Sequence, residues 1–270
     1  MPASETLLKI NGATVVKNGT RLLDDLHLEI ADGQHTAIFG PNGSGKSSLI
    51  KLITRQHYPL AWSNGKPVVT IFGKANWDVF ALRTQLGIVS VDAHQGFVSG
   101  ETLTGREVVV SGFFASRGVA AHHRVTAEME DRTEAALRLA QAVHLAEKPM
   151  EQMSTGEARR VLIARALAPD PKALLLDEPA TGLDLSARRR FLETVRGIAQ
   201  AGKTIILVTH FAEEIIPEIQ RTVLLRQGKV FADGPTEDVL TSENLSALFG
   251  EPVEVRRHNG VYSASQGQLR

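Results

Sequence analysis

Short runs of alternating polar and apolar residues occupy the N-terminal part of the chain. Leu26-His27-Leu28-Glu29-Ile30 alternates strictly, and the turn-forming pairs Asn18-Gly19 and Asp32-Gly33 separate such runs. A period of two places one side of a strand on the core, and both pairs favour tight turns. The pattern therefore predicts antiparallel strands in this part of the chain.

The rest of the chain alternates between apolar runs of strand length and stretches with a helical period. Strands are predicted at His35–Phe39, Pro67–Phe72, Leu86–Val91, Ala173–Leu176 and Thr204–Thr209, and helices from about Ser47, over about Thr102–Ala168, around Ser186–Gln200 and from Phe211. Such alternation favours a mostly parallel sheet covered by helices. We therefore predict one α/β domain with a helical insert. A hairpin at Arg221–Val230 and a polar, peripheral C-terminal segment are also expected.

Composition removes several classes of protein. The chain has 270 residues, of which 43% are hydrophobic, so it can bury a substantial core. Lys and Arg total 30, as do Asp and Glu, so no overall attraction to nucleic acid is expected. The absence of cysteine excludes disulfides and thiolate metal sites. No apolar run approaches the roughly 20 residues of a membrane span, and the N-terminus lacks a signal-peptide pattern, so a cytosolic location is expected.

A phosphate-loop motif follows the predicted strand at His35–Phe39. The residues that match G-x-x-x-x-G-K-[ST] are Gly40, Pro41, Asn42, Gly43, Ser44, Gly45, Lys46 and Ser47, and Ser48 comes next. Its glycines let backbone N–H groups face phosphates at a helix N-terminus. Lys46 would supply charge to the β- and γ-phosphates, and the Ser47 hydroxyl would ligate Mg²⁺. The motif predicts a nucleotide site without naming the reaction.

Two carboxylates, Asp177 and Glu178, end the apolar run Ala173–Leu176. Residues at the carboxyl end of a parallel strand face the ligand crevice of an α/β sheet. Asp177 can hold Mg²⁺ through water, and Glu178 can polarise an attacking water. In isolation such a pair is also typical of a solvated turn, but beside a phosphate loop it indicates Mg²⁺–nucleotide chemistry.

The segment Met153-Ser154-Thr155-Gly156-Glu157 leads into an Arg- and Ala-rich helical pattern that ends near Leu167. With the motifs above, the chain resembles the nucleotide-binding domain of ABC transporters from about Leu7 to Gly250. The resemblance implies an α/β P-loop NTPase (RecA-like) core with an antiparallel β-subdomain and a helical subdomain at about 93–168. Residues 1–270 would form a single nucleotide-binding domain.

The family's signature is usually Leu-Ser-Gly-Gly-Gln, and it binds the ATP of the opposite subunit. By resemblance, Ser154 and Gly156 would do so here. Thr155 and Glu157 depart from the signature by adding a side chain and a negative charge, and we expect both to weaken subunit pairing. Ser154 and Glu157 also fit a capping box.

Further positions match the family's motifs. Asp184 matches the acidic residue of the D-loop, although it also fits an ordinary helix N-cap. His210 matches the switch histidine, which would contact the γ-phosphate and orient Glu178 and water. Glu213 and Glu214 are predicted to begin a solvated helix.

Two family positions are not matched. Where the Q-loop glutamine is expected, the chain has Val91, and Asp92, His94 or Gln95 remain alternatives, with Gln95 chosen as the Mg²⁺ ligand. The aromatic residue that stacks on adenine is replaced by Val16 or Lys17. This substitution weakens the expectation of strict ATP selectivity.

The resemblance implies an ATPase that uses ATP and Mg²⁺, with Glu178, His210 and Lys46 as catalytic residues. Two copies would pair head-to-tail and drive an integral membrane permease from the cytoplasmic side, as peripheral subunits at the inner face of the membrane. The segment Ser90–Gly118 would touch that permease. An importer is favoured, and Val109–Phe114 resembles ATPases of molybdate or metal-chelate uptake. The alternatives are a non-transport ATPase acting on DNA or ribosomes and a regulatory module with weak hydrolysis. No nucleic-acid partner is expected.

Overall fold

The computed structural model describes residues 5–60, 67–90, 103–120 and 122–267. The chain forms two compact units, one of residues 1–79 and 205–270 and the other of residues 80–204. Among the described residues, no helix is long and apolar enough to span a bilayer. The expected single nucleotide-binding domain, with its helical part at about 93–168, stays a prediction.

The strands are β1 (Thr6–Lys17), β2 (Thr20–Ala31), β3 (Thr36–Phe39), β4 (Val69–Ile71), β5 (Leu86–Ser90), β6 (Ala173–Asp177), β7 (Thr204–Thr209), β8 (Arg221–Arg226), β9 (Lys229–Pro235), β10 (Val253–His258) and β11 (Val261–Gln266). The α-helices are α1 (Lys46–Ile53), α2 (Val79–Gln85), α3 (Gly105–Val110), α4 (Ala127–Leu139), α5 (Thr155–Leu167), α6 (Leu185–Gln200), α7 (Thr236–Val239) and α8 (Ser242–Phe249). Short 3₁₀ segments lie between several of these helices.

The first unit contains an antiparallel sheet in the order β2-β1-β4. The turn between β1 and β2 is formed by Asn18 and Gly19, whose φ angles are 50° and 76°. Two successive positive φ angles match the twist of a hairpin, and Asn and Gly tolerate them. The predicted antiparallel strands are therefore confirmed.

The same unit contains parallel strands around β3, which pairs with β7 on one side and β8 on the other. Every residue of β3 is buried. This is the expected environment for a continuous apolar run in a parallel sheet covered on both faces. Strand β9 returns antiparallel to β8, which confirms the predicted hairpin.

Most residues of the C-terminal segment are exposed, in agreement with the predicted polar, peripheral stretch, but the segment also forms two strands that were not predicted. Strands β10 and β11 form a hairpin, and Tyr262 on β11 is only 6% exposed. The Arg257 guanidinium lies 5.4 Å from the Tyr262 ring centroid. One buried ring and the cross-strand hydrogen bonds therefore order a segment whose average composition is polar.

The predicted solvated helix after β7 is wrong. Only a short 3₁₀ turn, Ala212–Glu214, follows the strand, and the side chain of Glu214 is fully buried. The Thr209 hydroxyl donates to Glu214 Oε2 at 2.6 Å, and the Ala264 N–H donates to Glu213 Oε1 at 3.0 Å. Each hydrogen bond gives one oxygen of its carboxylate a partner in place of water.

In the second unit, β5 and β6 are parallel, and helices make up much of the remainder. Helix α5 buries most of its residues, including Val161, Leu162 and Ile163. Helix α6 is amphipathic and buries Phe191 and Val195 among others. The predicted helical character of this stretch is confirmed for the residues that the structure describes.

Candidate nucleotide-binding site

The phosphate-loop motif lies between β3 and α1, in the strand–loop–helix context that it requires. Gly45 is the N-cap of α1, has a φ of 110° and provides no side-chain cap. A side chain would be strained at this φ angle. No N-cap side chain therefore occupies the N-terminus of α1, and a helix N-terminus attracts an anionic ligand.

Lys46 is folded back onto the loop. Its Nζ donates to the carbonyl oxygens of Gly40 at 2.7 Å and Pro41 at 3.1 Å, and the residue is only 5% exposed. The buried Ser44 Oγ has no hydrogen-bond partner among the described residues. A buried ammonium and an unsatisfied hydroxyl next to a helix N-terminus are suited to phosphate oxygens.

His210 follows β7, the parallel neighbour of β3. Phe39 pairs with Thr209 in the strand register, and the Gly40 N–H donates to the Thr209 carbonyl at 3.3 Å. The strands therefore bring the predicted switch histidine to the edge at which the phosphate loop begins. This placement agrees with the ligand crevice at the carboxyl ends of parallel strands.

The predicted acidic pair ends β6 in the second unit. Asp177 is the last residue of the strand and pairs with Ser90, the last residue of β5. Glu178 follows with a φ of 45°, in the left-handed region. Both carboxylates are partly exposed. Gln95, Asp92 and His94 lie outside the described residues.

The signature segment forms the N-terminus of α5. Ser154 is its N-cap, and a capping box joins its Oγ to the Glu157 N–H at 3.3 Å and its N–H to Glu157 Oε2 at 2.8 Å. A Cβ on Gly156 would lie 3.2 Å from Ala187 Cβ, so glycine allows α6 to approach closely. The predicted capping box is confirmed, and Thr155 is exposed at the helix end.

Glu157 is also paired with Lys148, whose Nζ lies 2.8 Å from Glu157 Oε2. The hydrogen bond from Lys148, with that from the Ser154 N–H, lowers the pKa of Glu157 to about 2. The carboxylate is therefore ionised near neutral pH but neutralised within its own chain.

Asp184 is the N-cap of α6 and accepts from the Ala187 N–H at 2.8 Å. Its carboxylate therefore has the structural role that the N-cap interpretation predicts, which stabilises the helix start. The residue is exposed, so the capping role leaves it accessible to a second subunit.

A pocket of about 500 Å³ in the first unit contains a tyrosine that the sequence pattern did not identify. Its lining includes Val16, Lys17, Lys51 and Tyr58. Val16 and Lys17 are the positions where the family's adenine-stacking aromatic was expected, and Lys51 lies one turn after Ser48 on α1. The structure therefore brings an aromatic ring to the place where the sequence lacks one.

These features define a P-loop nucleotide-binding protein with a capped signature helix. Residues 23–181 match the family described as ABC transporter. The chain is 34% identical over 253 residues to YlmA of Bacillus subtilis, an uncharacterised ABC transporter ATP-binding protein, across 92% of this chain and 93% of that protein. It is 30% identical over 260 residues to the hemin import ATP-binding protein HmuV of Rhodococcus jostii, across 95% and 84%.

Among solved structures, the fold matches an inward-facing ABC transporter described as of the metal-chelate type. The TM-score is 0.77 with 25% identity, and the match covers 98% of each chain. The chain belongs to the ABC transporter family and is an ATP-binding subunit with ATPase activity. Its α/β P-loop fold is the fold of these ATPases.

Glu157→Gln should destabilise the protein by up to about 1 kcal/mol at pH 7, since it removes the ionic contact with Lys148. Because the folded pKa is about 2 and the ordinary value is 4.5, this contribution is present above pH 4.5 and is lost as the pH falls toward 2. Urea unfolding of both proteins across this range measures the difference. Glu151→Gln, at an exposed neighbouring carboxylate, is the control. A difference that stays constant down to pH 2 would contradict this assignment.

Proposed function

We propose that this chain binds Mg²⁺–ATP at the phosphate loop and hydrolyses the γ-phosphate to drive a separate membrane permease. The observation that carries the proposal is the pairing of β3 with β7, because it puts His210 beside the start of the loop that holds Lys46. This pairing within one unit supports a role of both the phosphate loop and His210 at the γ-phosphate.

The loop residues Gly40 to Ser48 bind the phosphates. When ATP enters, the ammonium of Lys46 exchanges the carbonyls of Gly40 and Pro41 for β- and γ-phosphate oxygens. This exchange is favourable because a phosphate carries full negative charge, whereas a carbonyl offers only a dipole. Backbone N–H groups at the start of α1 complete the cradle.

Ser47 and Asp177 are proposed to hold Mg²⁺. Both offer hard oxygen donors, and the described residues contain no group of three or more His, Cys, Asp or Glu side chains that could hold a metal. Mg²⁺ commonly binds through one or two protein oxygens plus phosphates and water, so this donor set fits. Bound Mg²⁺ neutralises charge on the phosphate oxygens. Gln95 stays a predicted third ligand.

Glu178 accepts a proton from the attacking water, and His210 contacts the γ-phosphate and orients that water. Glu178 directly follows the buried strand β6, and a general base requires a carboxylate that is positioned near the water. Lys46 stabilises the charge that develops on the transferring phosphoryl group.

A second copy is proposed to complete the site. The N–H groups at the start of α5, together with the Ser154 hydroxyl and Gly156, form an exposed anion-binding helix end that can meet the γ-phosphate of another subunit. Asp184, exposed at the N-cap of α6, lies at the proposed contact between subunits. This arrangement is a head-to-tail dimer.

An importer of metal chelates is the transport system that we favour. HmuV of R. jostii is named for hemin import, and the structural neighbour is described as metal-chelate type. The chain would act at the cytoplasmic face of the membrane, with the segment 90–118 against its permease. The alternative is a non-transport ATPase that acts on DNA or ribosomes.

Glu178→Gln should lower steady-state ATP turnover by at least about 10²-fold, because the general base is lost. ATP binding should persist, and a dimer should accumulate with Mg²⁺–ATP in size-exclusion chromatography. Glu193→Gln removes an exposed carboxylate on α6 and should retain parental turnover. Lys46→Ala should lose ATP binding as well as turnover. Hydrolysis by the Glu178 variant at the parental rate would rule out Glu178 as the base.

Tyr58 is proposed to stack on the adenine ring. Tyr58→Ala should raise the KM for ATP about 5- to 150-fold, since base–aromatic stacking is worth about 1–3 kcal/mol. The change in kcat should be small, because the phosphates bind elsewhere. Tyr58→Phe keeps the ring and should retain the parental KM, as measured by steady-state kinetics. An unchanged KM in the Ala variant would exclude Tyr58 from base binding.

Membrane association distinguishes transport from the alternative function. In membranes of cells that produce the tagged chain, we expect it to copurify with a multispanning protein whose detergent-solubilised complex hydrolyses ATP. The Lys46→Ala protein should copurify equally, because the proposed permease contact does not use the phosphate loop. Salt-sensitive cofractionation with ribosomes or DNA, without a membrane protein, would favour the alternative instead.

A further inference from the structure

Arg159 is a buried arginine on the signature helix. It lies on α5 and is only 5% exposed, between Ala158 and Val161, which are fully buried. Removing a guanidinium from water is costly unless its N–H groups find acceptors. The hydrogen-bond acceptors of Arg159 therefore indicate what compensates its burial and which part of the structure it supports.

The guanidinium donates to main-chain carbonyls in the loop after β6. Nη1 donates to the Glu178 carbonyl at 3.3 Å and to the Pro179 carbonyl, and Nη2 donates to the Thr181 carbonyl at 2.6 Å. A planar guanidinium holds its donors in a fixed fork, so it constrains the relative positions of these carbonyls. The partners of Arg159 in this loop thus belong to the peptide backbone around the proposed catalytic carboxylate.

The loop needs such support. Glu178 has a φ of 45°, and a non-glycine residue in the left-handed region costs about 1 kcal/mol or more. The Thr181 N–H donates to the Glu178 carbonyl at 3.2 Å, which closes a turn, and Arg159 binds the same carbonyl from outside the turn. The orientation of the peptide plane after Glu178 is thereby fixed from two directions.

Helix α5 carries both the signature segment and Arg159. Ser154 caps the N-terminus of α5, and Arg159 lies five residues further along, or about 7 Å at 1.5 Å per residue. Within this distance an α-helix is a rigid rod. A displacement of the helix end that meets an anion is therefore transmitted to the loop that contains Glu178.

We propose that Arg159 is a positioning residue for ATP hydrolysis. It fixes the backbone of Glu178 so that the carboxylate meets the attacking water, and it couples that position to the signature end of α5. This inference rests on the proposed role of Glu178. Its expected effect is on kcat, because the loop does not contain the residues that bind the phosphates.

The test compares Arg159→Met, which keeps an unbranched chain but has no donor, with the full-length parental protein. We expect kcat to fall about 10- to 100-fold, since a misplacement of about 1 Å can cost 10²-fold. The KM for ATP should change less than threefold. Arg159→Lys keeps the charge without the planar fork and should recover only part of kcat. Arg189→Met, at an exposed arginine on α6, is the matched control and should retain parental kinetics.

A double-mutant cycle separates positioning from a general structural role. With Glu178→Gln already present, Arg159→Met should change the residual single-turnover rate less than twofold, because the carboxylate that Arg159 positions is absent. An equal fractional loss in both backgrounds, or a parental kcat in Arg159→Met, would overturn the inference. If the Met variant does not fold, as judged by thermal unfolding, Arg159→Lys is used in the same cycle with the same criteria. Parental turnover by Glu178→Gln alone would instead contradict the proposed base.

Discussion

The parallel pairing of β3 with β7 and β8 is the constraint on which the phosphate loop depends. A loop that presents backbone N–H groups to a ligand cannot satisfy them within itself, so its ends must be held by other elements. Here the Gly40 N–H is fixed to Thr209, and the Gly228 N–H donates to the Ser44 carbonyl at 2.8 Å. The neighbouring strands and their turn therefore hold both the start and the end of the loop.

In the second unit, side-chain caps order the ends of the helices. Helices α5 and α6 begin with side-chain caps from Ser154 and Asp184, so their first turns are ordered without a ligand. The Glu178 loop lies between β6 and α6 in sequence and is bound by a residue of α5. Helix α5 therefore orders the Glu178 loop and also carries the candidate signature. One helix thus links these two segments.

Local patterns made much of the fold and site predictable. The phosphate loop, the acidic strand end and the capping box each lie within a few consecutive residues, so spacing alone identified them. Glu214 was misread because its burial depends on Thr209 and on packing that no local pattern shows. Tyr58 was missed because it is distant in sequence from Val16 and reaches the same pocket only after folding. One feature of the sequence pattern could have indicated Arg159, namely a charged residue among the residues that α5 buries.

Glu157 shows how a charge that departs from a family motif can be paired within its own chain. The negative charge that this glutamate adds to the signature leads to the expectation of weaker subunit pairing, which stays a prediction. In the structure, Lys148 and the Ser154 N–H both bind Glu157 Oε2, and the lowered pKa reports the same compensation. A neutral glutamine would leave Lys148 without this partner. The lysine and the glutamate therefore form an ion pair at the start of α5, and the dipole of a helix favours an anion at this end.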